Sequence, residues 1–177
     1  MRLNFLQRGK EGIEKGVFII VKKEVENYMY LCEKIENEDY KKRVKTSFEY
    51  YIKSANFYKR LGMILSILGI VLPALAAIFT ACDVNKGWIV FATSSATVVS
   101  GVFAYLKCSD KQEAYRKAAE NMKRELVAYA AEQSDYRKSG DKNAILFEHI
   151  ESIIQNGYDR IVELDKESER TASTFKK

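Results

Sequence analysis

Leu61 to Cys82 reads LGMILSILGIVLPALAAIFTAC and Gly87 to Leu106 reads GWIVFATSSATVVSGVFAYL, with only Asp83-Val84-Asn85-Lys86 between them. Between Arg60 and Lys107 no charge occurs outside that short break. As a helix the first stretch would run roughly 33 Å at about 1.5 Å per residue, enough for a hydrocarbon core of about 30 Å. The second is just long enough to do the same. The pattern predicts a transmembrane helical hairpin, and any chemistry has to fit around it. Whole-chain averages conceal this, because mean hydropathy is −0.28 and 30% of the 177 residues are charged, values ordinary for a soluble protein.

Outward from the hairpin, the basic residues set an orientation. Lys41, Lys42, Arg43, Lys45, Lys53, Lys59 and Arg60 lead into the first stretch, and Lys107, Lys111, Arg116, Lys117, Lys123 and Arg124 leave the second. The turn has only Lys86. By the positive-inside rule both termini are cytoplasmic and the turn faces outward, giving a multi-pass protein of the cell's inner (plasma) membrane. A net charge of +5 and a pI near 9.0 invite a nucleic-acid reading. Clustering at the membrane flanks assigns the charge to orientation and anionic headgroups instead, so the lipid bilayer is the expected partner and nucleic acid is not. Met1 to Lys10 has no apolar run and Val17 to Val21 is too short for a secretory h-region, so the hairpin itself carries the targeting.

The remaining chain reads as one domain of helices, giving an all-α membrane protein whose two-helix hairpin extends into a cytoplasmic bundle. Residues 1–39 form an N-terminal amphipathic region in which Val17, Val21, Val25, Tyr28, Cys32 and Ile35 recur at helical spacing. Residues 40–60 carry Tyr40, Val44, Phe48, Tyr51, Ala55 and Tyr58 and run without a break into the first span at 61–82. After the second span at 87–106, Cys108, Tyr115, Met122 and Tyr129 recur every seventh residue within 107–138. That stripe predicts a coiled-coil-like continuation of the membrane helix, with Tyr115, Met122 and Tyr129 as an oligomer seam. Gly140 offers a stop and Asp141 an N-cap for a helix over 142–166, and 167–177 reads as a polar, disordered tail.

The spans have two unlike faces. In the first, Gly62, Ser66, Gly69, Pro73, Ala76, Ala77 and Thr80 lie opposite Leu61, Ile64, Leu65, Leu68, Val71, Leu72, Leu75 and Phe79. In the second, Thr93, Ala96, Thr97, Ser100, Gly101 and Ala104 lie opposite Trp88, Phe91, Val98, Val99, Val102 and Phe103, with Ser95 an exception on the bulky side. Small residues let backbones approach, so one reading is packing within the hairpin or across an oligomer. The other is that Thr93, Thr97, Ser100, Gly101 and Ala104 line a polar pathway. Pro73 removes a backbone donor in mid-span and leaves the Gly69 carbonyl without its helical partner, which predicts a bend supported by Gly62, Ser66, Gly69 and Ala77. No Asp, Glu, Lys, Arg or His lies inside either span, which argues against a proton relay or voltage sensor.

Enzyme signatures are absent. His149, the single histidine, has Glu148 and Glu151 beside it and reads as a surface residue of an amphipathic helix rather than a general base. Cys32, Cys82 and Cys108 are too widely spaced for a zinc site, and no phosphate-binding glycine motif occurs. No cofactor, metal or catalytic residue is expected.

Tyr58-Lys-Arg-Leu61 at the start of the first span, a mid-span proline, a short turn before Trp88, then Tyr115-Arg116, Ala119-Glu120, Lys123-Arg124-Glu125, Tyr129, Phe147 and Ile150-Glu151-Ser152-Ile153 together resemble the SLATT group. These are bacterial two-transmembrane proteins named for association with SMODS and SLOG domains, and a neighbouring bacterial family of unknown function shares the pattern. The resemblance covers roughly Tyr40 to Ile161. It implies a pore-forming or membrane-perturbing effector in nucleotide-signalled anti-phage defence. The chain has no room for a fused sensor domain, so either a sensor is a separate protein or the cytoplasmic helices themselves sense something. The expected function is thus an oligomeric pore or membrane-perturbing effector, with a small ion channel or a non-conducting anchor recruiting a cytoplasmic partner as alternatives.

Overall fold

The computed structural model describes residues 26, 28, 30–82, 85–137 and 141–174. Among them lie four α-helices, here α1 (Glu38–Ala81), α2 (Lys86–Leu106), α3 (Cys108–Ala130) and α4 (Lys142–Thr174), with a 3-10 turn at Ser134–Arg137. No strand occurs among the described residues. Two of the long helices contain a stretch long and apolar enough to cross a membrane.

Side chains close the helix starts. Asn37 Oδ1 accepts from the amides of Asp39 (3.0 Å) and Tyr40 (3.2 Å), and the acidic first turn Glu38-Asp39 suits the positive end of the dipole. Asn85 Oδ1 accepts from Gly87 N at 2.9 Å and starts α2. Asp141 Oδ1 accepts from Ala144 N at 3.0 Å, the cap its position before a polar-apolar repeat predicts.

The chain divides into two compact units, one from Met1–Ser54 with Tyr115–Gly157 and one from Ala55–Ala114 with Tyr158–Lys177. This division follows packing, whereas the expected segments 1–39, 40–166 and 167–177 follow composition. Its borders fall inside α1, α3 and α4, because compactness follows which distant segments pack together rather than where composition changes.

The first unit has an ordinary apolar core. Val44, Phe48, Tyr51 and Ile52 of α1 are buried with Tyr115, Ala119, Met122 and Leu126 of α3 and Leu146 and Ile150 of α4. Leu31, Cys32 and Ile35 complete it, and burial pushes the Cys32 thiol up to about 11, so it stays a neutral thiol at physiological pH. The amphipathic region expected over 1–39 lies outside the described residues as far as 25. Its described end stops at Cys32, where Lys34 N and Ile35 N turn back to the carbonyls of Leu31 and Cys32. Lys34 Nζ then donates to the Ala130 carbonyl at 3.1 Å, a cation at the C-terminal end of α3 where the dipole favours one. Gly157 of α4 permits close approach: a Cβ there would lie 2.9 Å from the Tyr51 hydroxyl and 3.3 Å from Ala118 Cβ. Tyr51 is held in place by donating to the Ile154 carbonyl at 3.1 Å.

In the second unit, two expectations are corrected. α2 does not continue unbroken into α3, because Lys107 takes a left-handed conformation (φ 44°) and separates the two. The left-handed residue directly precedes a close approach, since a Cβ on Gly62 would sit 3.2 Å from Cys108 Cβ. The polar tail is not disordered from 167, because α4 is helical through Thr174. Its sequence is polar, but Ser168 is buried and donates to the Leu164 carbonyl (2.9 Å), Glu167 pairs with Lys107, and Asp165 Oδ1 lies 2.7 Å from Lys111 Nζ.

Candidate functional site

The apolar stretches of α1 and α2 hold the residues singled out from sequence, and their burial pattern differs from that of the first unit. On α1 the partly or fully covered positions are Leu61, Gly62, Leu65, Gly69, Leu72, Ala76 and Phe79, and on α2 they include Ile89, Ala92, Ser95, Ala96 and Val99. From Gly62 to Phe79 and from Ile89 to Val99 the steps of three and four residues are those of a helix seam, with large side chains alternating with Gly or Ala. Everything else on the two stretches faces outward, including Ile64, Ile67, Ile70, Phe91, Val98 and Phe103.

That seam splits the small-residue faces read from sequence. Gly62, Gly69 and Ala96 are partly covered, whereas Ser66, Pro73, Ala77, Thr93, Thr97, Ser100, Gly101 and Ala104 are exposed. A Cβ on Gly69 or Gly101 would meet nothing within 4 Å, so neither glycine serves a close contact inside this chain. Pro73 lies within the continuous helix Glu38–Ala81.

Two hydroxyls on the exposed face, those of Thr93 and Thr97, are committed as donors. Thr93 Oγ1 lies 3.0 Å from the carbonyls of both Ile89 and Val90, and Thr97 Oγ1 donates to the Thr93 carbonyl at 3.2 Å. A hydroxyl has one proton and two lone pairs, so each oxygen retains acceptor capacity toward the outside. At Thr93 and Thr97 the face therefore offers oxygen lone pairs to a cation.

Beyond the end of the second stretch, Lys107 and Lys111 are paired with Glu167 and Asp165. Burial alone would lower the Lys111 pKa, but the bond to Asp165 and the neighbouring Tyr58 and Cys108 outweigh it and hold it above the usual lysine value. Its ammonium sits 5.5 Å from the Tyr58 ring centroid. Arg60 Nε is buried with no hydrogen-bond partner.

Tyr115 and Met122 of the expected oligomer seam are buried in the first unit's own core, and Tyr129 is partly covered, its hydroxyl 2.8 Å from Asn143 Oδ1. The seven-residue repeat was a sound signal for a helix seam, but the seam lies within one chain. His149 also departs from a free surface histidine. Its Nδ1 is 3.2 Å from Glu125 Oε2, which accepts from the buried Tyr136 hydroxyl at 2.8 Å, tying the 3-10 turn to α3 and α4. Tyr136 and Gly157 escaped the sequence reading, because one stands in a polar loop and the other in a polar-rich helix. Among the described residues no group of three His, Cys, Asp or Glu is placed to hold a metal ion.

These features define an all-α protein with two long, outward-facing apolar helices. The chain belongs to the family described as "Protein of unknown function (DUF4231)", whose match spans residues 42–144 and so includes nearly all of α1, all of α2 and α3, and the start of α4. No curated protein and no solved structure matches it.

Proposed function

We propose that the chain is a multi-pass protein of the inner (plasma) membrane, with both termini cytoplasmic, whose hairpins associate into an oligomeric pore or membrane-perturbing assembly. The observation that carries this reading is exposure: only 6% and 11% of the most apolar windows of the two candidate spans are buried within the chain. The core helix of a soluble protein would be largely covered, and large contiguous apolar surfaces mark membrane or protein contacts. Two uncharged helices cannot enclose water by themselves, so a pore needs several copies. The face available for that is Thr93, Thr97, Ser100, Gly101 and Ala104, whose outward lone pairs favour a cation. The SLATT-like motifs support an effector role in anti-phage defence, triggered by a separate nucleotide-linked sensor.

Ion flux from liposomes containing the purified protein tests the proposal. Cation flux that falls in the double variant Thr97→Val with Ser100→Ala, at unchanged insertion, is the expected result. Absence of flux in the parent leaves a membrane anchor that recruits a cytoplasmic partner, the reading favoured by the well-packed first unit. Orientation is tested by cysteine labelling of intact cells, which should reach a probe at Asn85 but not at Lys53 or Lys123.

A further inference from the structure

The first unit carries a groove of about 620 Å³ that neither the hairpin nor the core uses. Arg116, Glu120, Lys123, Arg124 and Val127 line it from α3, spaced at i, i+4, i+7, i+8 and i+11, a single stripe turned away from the buried Ala118, Met122 and Leu126. The Tyr28 ring forms the facing wall. Three cationic side chains stand against one carboxylate, and that carboxylate, Glu120, accepts from Arg116 Nε at 3.1 Å. Lys123 Nζ is positioned 4.4 Å from the Tyr28 ring centroid and 5.9 Å from that of Phe48. Arg124 is exposed, and Val127 and Ala128 give the groove an apolar floor.

Excess positive charge with two guanidinium groups suits phosphate oxygens, which match the planar fork of arginine. The volume is that of a site for one small molecule rather than a track for a polymer. An apolar floor and an aromatic wall beside the cations call for a ligand with an uncharged part. We propose that this groove binds a small phosphate-bearing anion, its phosphates on Arg116, Lys123 and Arg124 and its uncharged part against Val127 and the Tyr28 ring. The site does not depend on whether the hairpin conducts. A free phosphorylated metabolite and a lipid headgroup share this chemistry, and the experiment separates them.

Full-length protein in phosphatidylcholine nanodiscs is titrated with ATP and with inorganic triphosphate at about 50 mM salt, where surface charge is only lightly screened. Saturable binding is expected, weakened about tenfold by Arg124→Gln or Lys123→Gln, the size of one hydrogen bond to a charged group. Lys117→Gln, an exposed α3 lysine outside the groove, should leave binding within about twofold. Tyr28→Ala should weaken ATP more than triphosphate. Discs containing phosphatidylglycerol identify the source: competition that disappears in Arg124→Gln assigns the phosphate to lipid, and unchanged affinity assigns it to a free ligand. The proposal is overturned if neither anion binds the parent protein saturably in phosphatidylcholine discs, or if Lys117→Gln costs as much as Arg124→Gln. Circular dichroism of each variant separates loss of the site from loss of the fold.

Discussion

Phe48 and Ile70 belong to the same helix, α1, yet Phe48 is 0% exposed and Ile70 is 73% exposed. Both are apolar. The first is covered inside its own chain, in the core of the first unit with α3 and α4; the second finds no cover in the chain. One helix thus carries two burial patterns, and the change lies near the basic residues Lys59 and Arg60. An amphipathic pattern marks the part that supplies its own partners, and a uniformly apolar one marks the part that does not.

The contrast is broken most severely by truncating each residue in turn. Phe48→Ala should lower unfolding free energy in detergent by about 3–5 kcal/mol, the cost of emptying a large core site. Ile70→Ala should stay within about 0.5 kcal/mol, as at an exposed position. Equal effects would mean that the hairpin packs in a core of its own. Next in size is Val98→Lys on the outward face of α2, which should cost about 2.5–3.5 kcal/mol in a membrane-insertion assay. A lysine accepted there without loss would remove the bilayer as the missing partner.

Gly157→Ala should destabilise the first unit by about 1–2 kcal/mol, overpacking against Tyr51 and Ala118 being partly offset by alanine's better helix propensity. The companion Tyr51→Phe with Gly157→Ala should recover part of that loss in thermal unfolding, because the contact at 2.9 Å is to the Tyr51 hydroxyl. The smallest effect is electrostatic. Hydrogen bonds from Lys41 and Lys142 hold the carboxyls of Glu33 and Glu132 below the usual carboxylate range. A depressed folded-state pKa gives stability that is present above the unfolded value of about 4.3 and is lost as pH falls through it toward the folded value. The melting temperature should therefore decline slightly below that pH, and Lys142→Met should remove part of the decline.

Much of this fold was legible because its signals are strong and local. The two uncharged stretches, the Asp141 cap and the apolar repeat of 40–58 are each carried by neighbouring residues. Where the reading failed, the deciding partner lay far away in sequence. Periodicity shows that Tyr115 and Met122 form a seam but not whose seam it is, and α1 and α4 of the same chain turn out to fill it. Ser168 and Glu167 look like a solvated tail until Leu164 and Lys107 are beside them. The hydroxyl face was visible at once as composition, while its outward direction depended on which small residues the hairpin uses for itself.

The division of the chain also has a consequence for how the protein is made. The first unit draws on Met1–Ser54 and then on Tyr115–Gly157, so the ribosome delivers its two halves on either side of the apolar hairpin. At about 5–20 residues per second the early half waits on the order of ten seconds for its complement. During that wait Phe48, Tyr51 and Ile52 lack their partners on α3 and α4, and the apolar segments emerge before those partners do. If the hairpin enters the bilayer as it emerges, insertion precedes bundle formation, and a failure at the translocation machinery would strand an unfinished soluble half as well as an orphaned membrane segment.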